Sequence, residues 1–129
     1  MVPIDWLAVG VSTVSAFLLG GLWYSPLLFA NAWMAGAKLT KEEVEKNMGA
    51  VFGQAIVCAL ITAIAYGFFA SGMPLIQNLI AGVATGFGLV AASLGLNYAF
   101  ERRPFSLLLI NGGYYVVQFA LYGLIFGLL

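Results

Sequence analysis

The charges of this chain are confined to Asp5 and two short segments, Lys38 to Lys46 and Glu101 to Arg103, and everything between them is charge-free. A helix needs about 20 apolar residues to cross a hydrocarbon core about 30 Å thick. Four segments supply them: 6–29, 49–71, 75–100 and 105–129. Only 8% of the residues are charged and 63% are hydrophobic, too little charge to cover a water-soluble domain. The expected fold is all-α: one domain, 1–129, forming a polytopic integral membrane protein, a four-transmembrane-helix bundle with charged loops at 34–48 and 101–104.

Orientation follows from the positive-inside rule. The first and third loops of a four-span chain share a side, and here they hold all five Lys and Arg residues. Both charged loops are therefore expected in the cytoplasm, with both termini outside and the chain in the cell's inner (plasma) membrane. The start, Met1 to Asp5, has no basic region and no small-residue cleavage site follows, so the first span is expected to be retained.

Local signals mark the helix ends. Asp5 suits an N-cap and Trp6 an interfacial anchor. Pro26, after Trp23-Tyr24-Ser25, lacks a backbone donor and is expected to kink the first helix, which then continues to a cap at Gly36. Thr40 and Glu43 have capping-box spacing, Leu39 and Val44 make a staple, and Glu42 with Lys46 an i,i+4 pair. The second helix is thus expected to start near Lys41 and run unbroken into the membrane at Gly49. Gly72-Met73-Pro74 leaves room only for a tight antiparallel turn, and Pro104 suits the first turn of the last helix.

At 100° per residue, Gly49, Gly53, Ile56, Leu60, Ala63 and Gly67 share one stripe of the second helix, with Gln54, Cys58 and Thr62 opposite. Gly82, Gly86, Leu89, Ser93 and Asn97 share a face of the third. The fourth aligns Asn111, Tyr115, Gln118 and Tyr122, with Gly112, Gly123 and Gly127 on another side. Lipid gives helices no hydrophobic reason to associate, so small residues and interhelical hydrogen bonds must supply it. Three small-residue pairs fit that role: Gly49/Gly53, Gly82/Gly86 and Gly123/Gly127. Helices with two specialised faces point to a homo-oligomer.

The intramembrane amides Gln54, Asn97, Asn111 and Gln118 suit cross-helix hydrogen bonds, each contributing about 0.6 kcal/mol on average. A second reading has Asn97, Asn111 and Gln118 line a polar path, as a small-solute transporter or channel would need. No acidic, basic or His residue lies mid-membrane, which weakens an ion-coupled mechanism. No cofactor, metal cluster or catalytic constellation is legible, so no enzyme is expected. Nothing basic remains outside the loops to bind nucleic acid, and the single Cys58 cannot form an intrachain disulfide. The partners expected are the bilayer, further copies of the chain, and anionic lipid at Arg102 and Arg103. Asn97 and Glu101, four residues apart, could instead orient that Arg pair toward the end of the first helix.

Leu19-Gly-Gly-Leu-Trp-Tyr-Ser-Pro26 and Leu94-Gly-Leu-Asn-Tyr-Ala-Phe100 both precede a charged loop and read as a weak duplicated hairpin. The stretch Gly20 to Phe29 with Trp33, and Asn97 to Pro104 with Ile110 to Tyr114, resemble the family called domain of unknown function 1761. That resemblance covers nearly the whole chain. It implies a small bacterial four-helix membrane protein and carries no activity with it. It also draws Trp23, Tyr24, Ser25, Pro26, Asn97, Glu101, Arg102, Arg103, Asn111 and Tyr114 into one expected cytoplasmic-side cluster. The leading expectation is a non-enzymatic, oligomeric membrane bundle with that cluster as its working surface.

Overall fold

The computed structural model describes residues 2–129 and is helical throughout, with no strand among the described residues. Its elements are α1 (Trp6–Trp23), α2 (Ala30–Ala37), α3 (Lys41–Glu45), α4 (Met48–Ala70), α5 (Leu75–Val83), a π-helical segment (Ala84–Ala91), α6 (Ala92–Glu101) and α7 (Phe105–Leu128). Four helices are long and apolar enough to cross a membrane: α1, α4, the continuous helix Leu75–Glu101, and α7. Among the spans, α7 is central, touching α1, α4 and the third span, while α4 packs chiefly on α1. The arms either side of Gly72 therefore part beyond their shared turn and pack against different neighbours.

The molecule has two unlike ends. One gathers the residues 2–5 that lead into α1, the 71–74 turn and the C-terminal end of α7. There the Asp5 side chain caps α1 by accepting from the Ala8 N–H at 3.0 Å, and the Asp5 N–H donates to Ser71 Oγ at 3.0 Å. Gly72 turns the chain at φ 83°, a conformation open to glycine because it has no Cβ. The Tyr66 ring is buried among Phe69, Phe119, Tyr122 and Phe126, with ring centres 4.9–6.1 Å apart. Its hydroxyl donates to Asn78 Oδ1 at 2.8 Å, and Asn78 Nδ2 donates to the Ala70 carbonyl at 2.9 Å. This polar pair is fully enclosed and fully bonded, the condition under which burial of such groups is tolerable.

Between α5 and α7 the backbones themselves meet. A Cβ on Gly82 would overlap the Phe119 carbonyl oxygen, and one on Gly123 the Asn78 carbonyl oxygen. A Cβ on Gly86 would lie 2.6 Å from the Tyr115 carbonyl, and one on Gly127 2.8 Å from the Leu75 Cα. Gly49 and Gly53 differ: nothing lies within 4 Å of a Cβ at either, so this pair packs against nothing within the chain. Residues 49–58 of α4 are all exposed, and Phe52 among them packs edge-on against Phe17 of α1 with ring centres 5.4 Å apart.

The opposite end holds the charged loops, and here several sequence expectations are corrected. The first helix does not kink at Pro26; it ends at Trp23. The Ser25 hydroxyl donates to the Leu22 carbonyl at 2.6 Å, and the chain turns so that the Phe29 N–H donates to the Trp23 carbonyl at 3.1 Å. A separate α2 follows. Its cap is Lys38, left-handed at φ 58°, rather than Gly36, which lies inside the helix where a Cβ would press on Leu107 at 3.3 Å.

Thr40 and Glu43 do form a reciprocal capping box, with bonds of 3.1 and 3.0 Å. But α3 stops at Glu45, because Lys46 is extended and Asn47 is left-handed at φ 54°, so it does not run into α4. The pair on its surface is Lys41 with Glu45 at 4.0 Å, not Glu42 with Lys46.

The third span departs from uniform 3.6-residue periodicity. Its close contacts with α7 fall at Gly82, Gly86, Ala91 and Gly95, a step of five through the π-helical segment, with Val90 packed against the core beside Ala91. Leu89, Ser93 and Asn97, expected on this face, are exposed instead. One extra residue in a turn rotates everything beyond it by about 100°, which is why Tyr98 rather than Asn97 points into the bundle.

Candidate functional site

The residues that converge at the charged end do so on one amide. The Tyr24 hydroxyl donates to Asn111 Oδ1 at 2.6 Å, and Asn111 Nδ2 donates to the Tyr98 hydroxyl at 2.8 Å. Tyr24 reaches this position because α1 ends beside it; Tyr98 reaches it because the π-helical segment has turned α6. One side chain on α7 thus ties the last turn of the first span to the last turns of the third.

Aromatic rings wall this centre. Trp23 Nε1 donates to the Ile110 carbonyl at 2.9 Å, and the Tyr114 hydroxyl to the Ala16 carbonyl at 2.7 Å. Both bonds run between α1 and α7 and hold them in fixed axial register. Tyr24 packs edge-on against Trp33 with ring centres 4.9 Å apart and against Tyr114 at 5.7 Å, while Trp23 covers Phe29 at 4.8 Å. A Cβ on Gly113 would press on the Trp23 ring at 3.3 Å, so glycine lets that indole lie against α7.

The charged loop borders the cluster through Tyr98. Arg103 Nε bonds Glu101 Oε1 at 2.7 Å, and the guanidinium lies 5.8 Å from the centre of the Tyr98 ring. The bond from Glu101 pushes the Arg103 guanidinium still further above its ordinary range, so it stays cationic. Both side chains are about half exposed, so solvent screens this ion pair. Arg102 is exposed and left-handed at φ 60°, and makes no ion pair among the described residues.

Of the ten residues that the sequence draws together, Trp23, Tyr24, Asn111 and Tyr114 form the centre, and Glu101 with Arg103 borders it. Ser25 shapes the turn, Pro26 lies exposed beside it, and Arg102 faces solvent. Asn97 is exposed and its side chain makes no hydrogen bond among the described residues, so neither its pairing with Glu101 nor a path through Asn97, Asn111 and Gln118 is formed. The residue missed was Tyr98. A signal for it existed: aligning Gly21-Leu-Trp-Tyr24 with Gly95-Leu-Asn-Tyr98 pairs the two tyrosines that meet at Asn111.

A second polar group lies deeper. Tyr122 Oη and Thr62 Oγ1 are 2.9 Å apart, and Gln118 Nε2 donates to the Tyr122 oxygen at 3.2 Å. This joins α4 to α7, whereas Gln54 and Cys58 on α4 are exposed. Among the described residues, no group of three His, Cys, Asp or Glu side chains comes together to hold a metal.

No curated protein and no solved structure matches this chain. The model of the family described as protein of unknown function (DUF1761) matches residues 7–127. That match takes in all four spans, both halves of the Asn111 cluster and both charged loops, and the chain belongs to the DUF1761 family.

Proposed function

We propose that this protein is a non-enzymatic helix bundle of the inner membrane, assembled as a homo-oligomer, with the aromatic and charged end around Asn111 as its working surface. The observation that carries this reading is the Asn111 amide bonded on both sides by Tyr24 and Tyr98, with the Arg103 guanidinium 5.8 Å from the Tyr98 ring and the exposed Arg102 next to it in the chain. A rigid aromatic floor next to an unpaired cation suits an anionic lipid headgroup. A basic side chain near an anionic leaflet gains about 1 kcal/mol.

In this reading both charged loops face the cytoplasm and both termini lie outside. Support comes from the placement of every Lys and Arg in loops at one end of the spans. Association of copies draws support from the loop-side half of α4, where Gly49 and Gly53 have no neighbour and Gln54 is exposed. Small notches beside an amide are the features through which helices associate in lipid.

Native mass spectrometry from detergent containing phosphatidylglycerol tests both parts. The expected spectrum shows an oligomer carrying lipid adducts that diminish in Arg102→Gln. A monomer alone sinks the assembly, and adducts indifferent to Arg102→Gln sink the lipid site. Labelling of thiols introduced in the loops with a membrane-impermeant reagent, applied from one side at a time, tests the orientation.

A further inference from the structure

The third span contains two competing registers within one sequence. Read as a continuous α-helix, it places Gly82, Gly86, Leu89, Ser93 and Asn97 on a single face. In the structure the face against α7 is Gly82, Gly86, Ala91 and Gly95, followed by Tyr98. The two agree as far as Gly86, in the first turn of the π-helical segment Ala84–Ala91, and diverge over the rest of it, where i→i+5 bonding absorbs about one extra residue.

The observed register makes specific contacts. A Cβ on Gly112 would meet the Ala91 Cβ at 3.4 Å, one on Gly95 would meet Leu108 at 3.3 Å, and Tyr98 accepts from Asn111. It also has costs. A π-helix is a rare and locally poorer arrangement than α, and Ser93 and Asn97 are turned outward from a span that crosses lipid. The α register reverses these terms. It restores i→i+4 bonding and shifts the inner position from Tyr98 to Asn97, whose amide can also meet Asn111. Gly88, in the middle of the segment, is exposed with nothing within 4 Å of a Cβ, so no packing blocks the change there.

We propose that Ala84–Ala91 is a register switch, in which conversion from π to α turns the loop-side half of the third span by about 100° and exchanges Tyr98 for Asn97 beneath Asn111. The closed end stays fixed, because Gly82, before the segment, and Gly86, in its first turn, are held by the backbone of α7, and the registers part only beyond Gly86. The moving part carries Glu101, Arg102 and Arg103. Asn111 also holds Tyr24, so the exchange is sensed where the first span ends. The inference stands apart from oligomerisation and lipid binding, and survives or falls without them.

Thiol labelling reads the register. In a Cys58→Ser background, the thiol of Asn97→Cys is exposed in the π register and covered in the α register. Tyr98→Phe removes the hydrogen bond that favours the π register, and loss of one such bond moves an equilibrium by roughly three- to tenfold. Labelling at position 97 is therefore expected to slow in the double variant. Deleting Gly88 takes out the extra residue and leaves a plain α-helix with Tyr98 inward. Added to the double variant, this deletion is expected to return labelling to the parent rate. A labelling rate indifferent to Tyr98→Phe overturns the switch. So does slow labelling that persists after the deletion in protein that still elutes as the parent does. If the triple variant does not fold, the same comparison is made at Leu94→Cys, half-buried now and expected to become more protected when Tyr98→Phe favours the α register.

Discussion

The two ends of this bundle are held together by different physics. At the turn end, Gly82 and Gly123 bring backbone against backbone, and Asn78 and Tyr66 are sealed with their hydrogen bonds complete. At the charged end, side chains rather than backbones make the contacts: Tyr24 and Tyr98 on Asn111, Trp23 on Ile110, Tyr114 on Ala16. Backbone contacts admit almost no adjustment, because no rotamer change relieves an overlap. Side-chain contacts can be remade one at a time. A membrane bundle anchored rigidly at one end can therefore keep variable geometry at the other, and this chain places its helix break and its charged loops there, beyond the π-helical segment midway along the third span.

Enlarging a glycine at the turn end should produce the largest effect. Gly123→Leu drives a side chain into the Asn78 carbonyl, which cannot move without separating α5 from α7. Overpacking usually costs about 1–3 kcal/mol and more where the backbone must shift, so loss of folded protein is expected on size-exclusion in detergent. A variant that folds normally would break the contrast at its base. Asn78→Ala comes next. It removes the side-chain bonds to the Tyr66 hydroxyl and the Ala70 carbonyl, which keep the Asn78 carbonyl and the Met73 N–H as partners, and each lost bond costs about 0.5–1.5 kcal/mol. Titration with SDS should show the loss as an earlier unfolding midpoint.

Asn111→Ala should cost less than Asn78→Ala, though it too breaks two side-chain bonds. Its partners are only partly buried and sit near the loops, where water can replace the amide. Interhelical hydrogen bonds in membranes average about 0.6 kcal/mol, and that is the expected size. Its signature is local: proteolysis within residues 24–47 should accelerate while the unfolding midpoint hardly moves. An equal midpoint shift in the two Asn variants would show that the ends are not mechanically distinct.

The same division explains what the sequence makes legible. Spans, charged loops, the Asp5 cap and the Thr40 capping box follow from hydropathy and from side chains acting within a few residues of themselves. The Gly82/Gly86 and Gly123/Gly127 spacing already carries the close approach of α5 and α7. What escapes is whatever depends on the partner helix. Pro26 reads equally as a kink or a stop, and contacts from Trp23 and Tyr24 to α7 accompany the stop. Asn47 gives no advance sign that it will adopt φ 54° and separate α3 from α4. Uniform 100° periodicity puts Asn97 inward and overlooks Tyr98, because the step of five between Gly86 and Ala91 is set by α7 and not by the third span alone. The candidate cluster is thus legible by composition, but its central bond is not.

The smallest effect on the lone chain, and the sharpest test of assembly, belongs to Gly53. A Cβ there meets nothing within the chain, unlike one on Gly82 or Gly123. Gly53→Ala should therefore leave the fold intact, or strengthen α4 by up to about 1 kcal/mol through helix propensity. If copies meet on this face, the added methyl holds their backbones apart, and weaker association is expected as a shift toward monomer at low protein-to-detergent ratio. The two readouts then move in opposite directions: a higher unfolding midpoint with a weaker oligomer. Should both rise together, Gly53 is an ordinary lipid-facing glycine and the contact between copies lies elsewhere. The exposed Gln54 beside it supplies the companion measurement, since Gln54→Leu should weaken association only if that amide has a partner in a second copy.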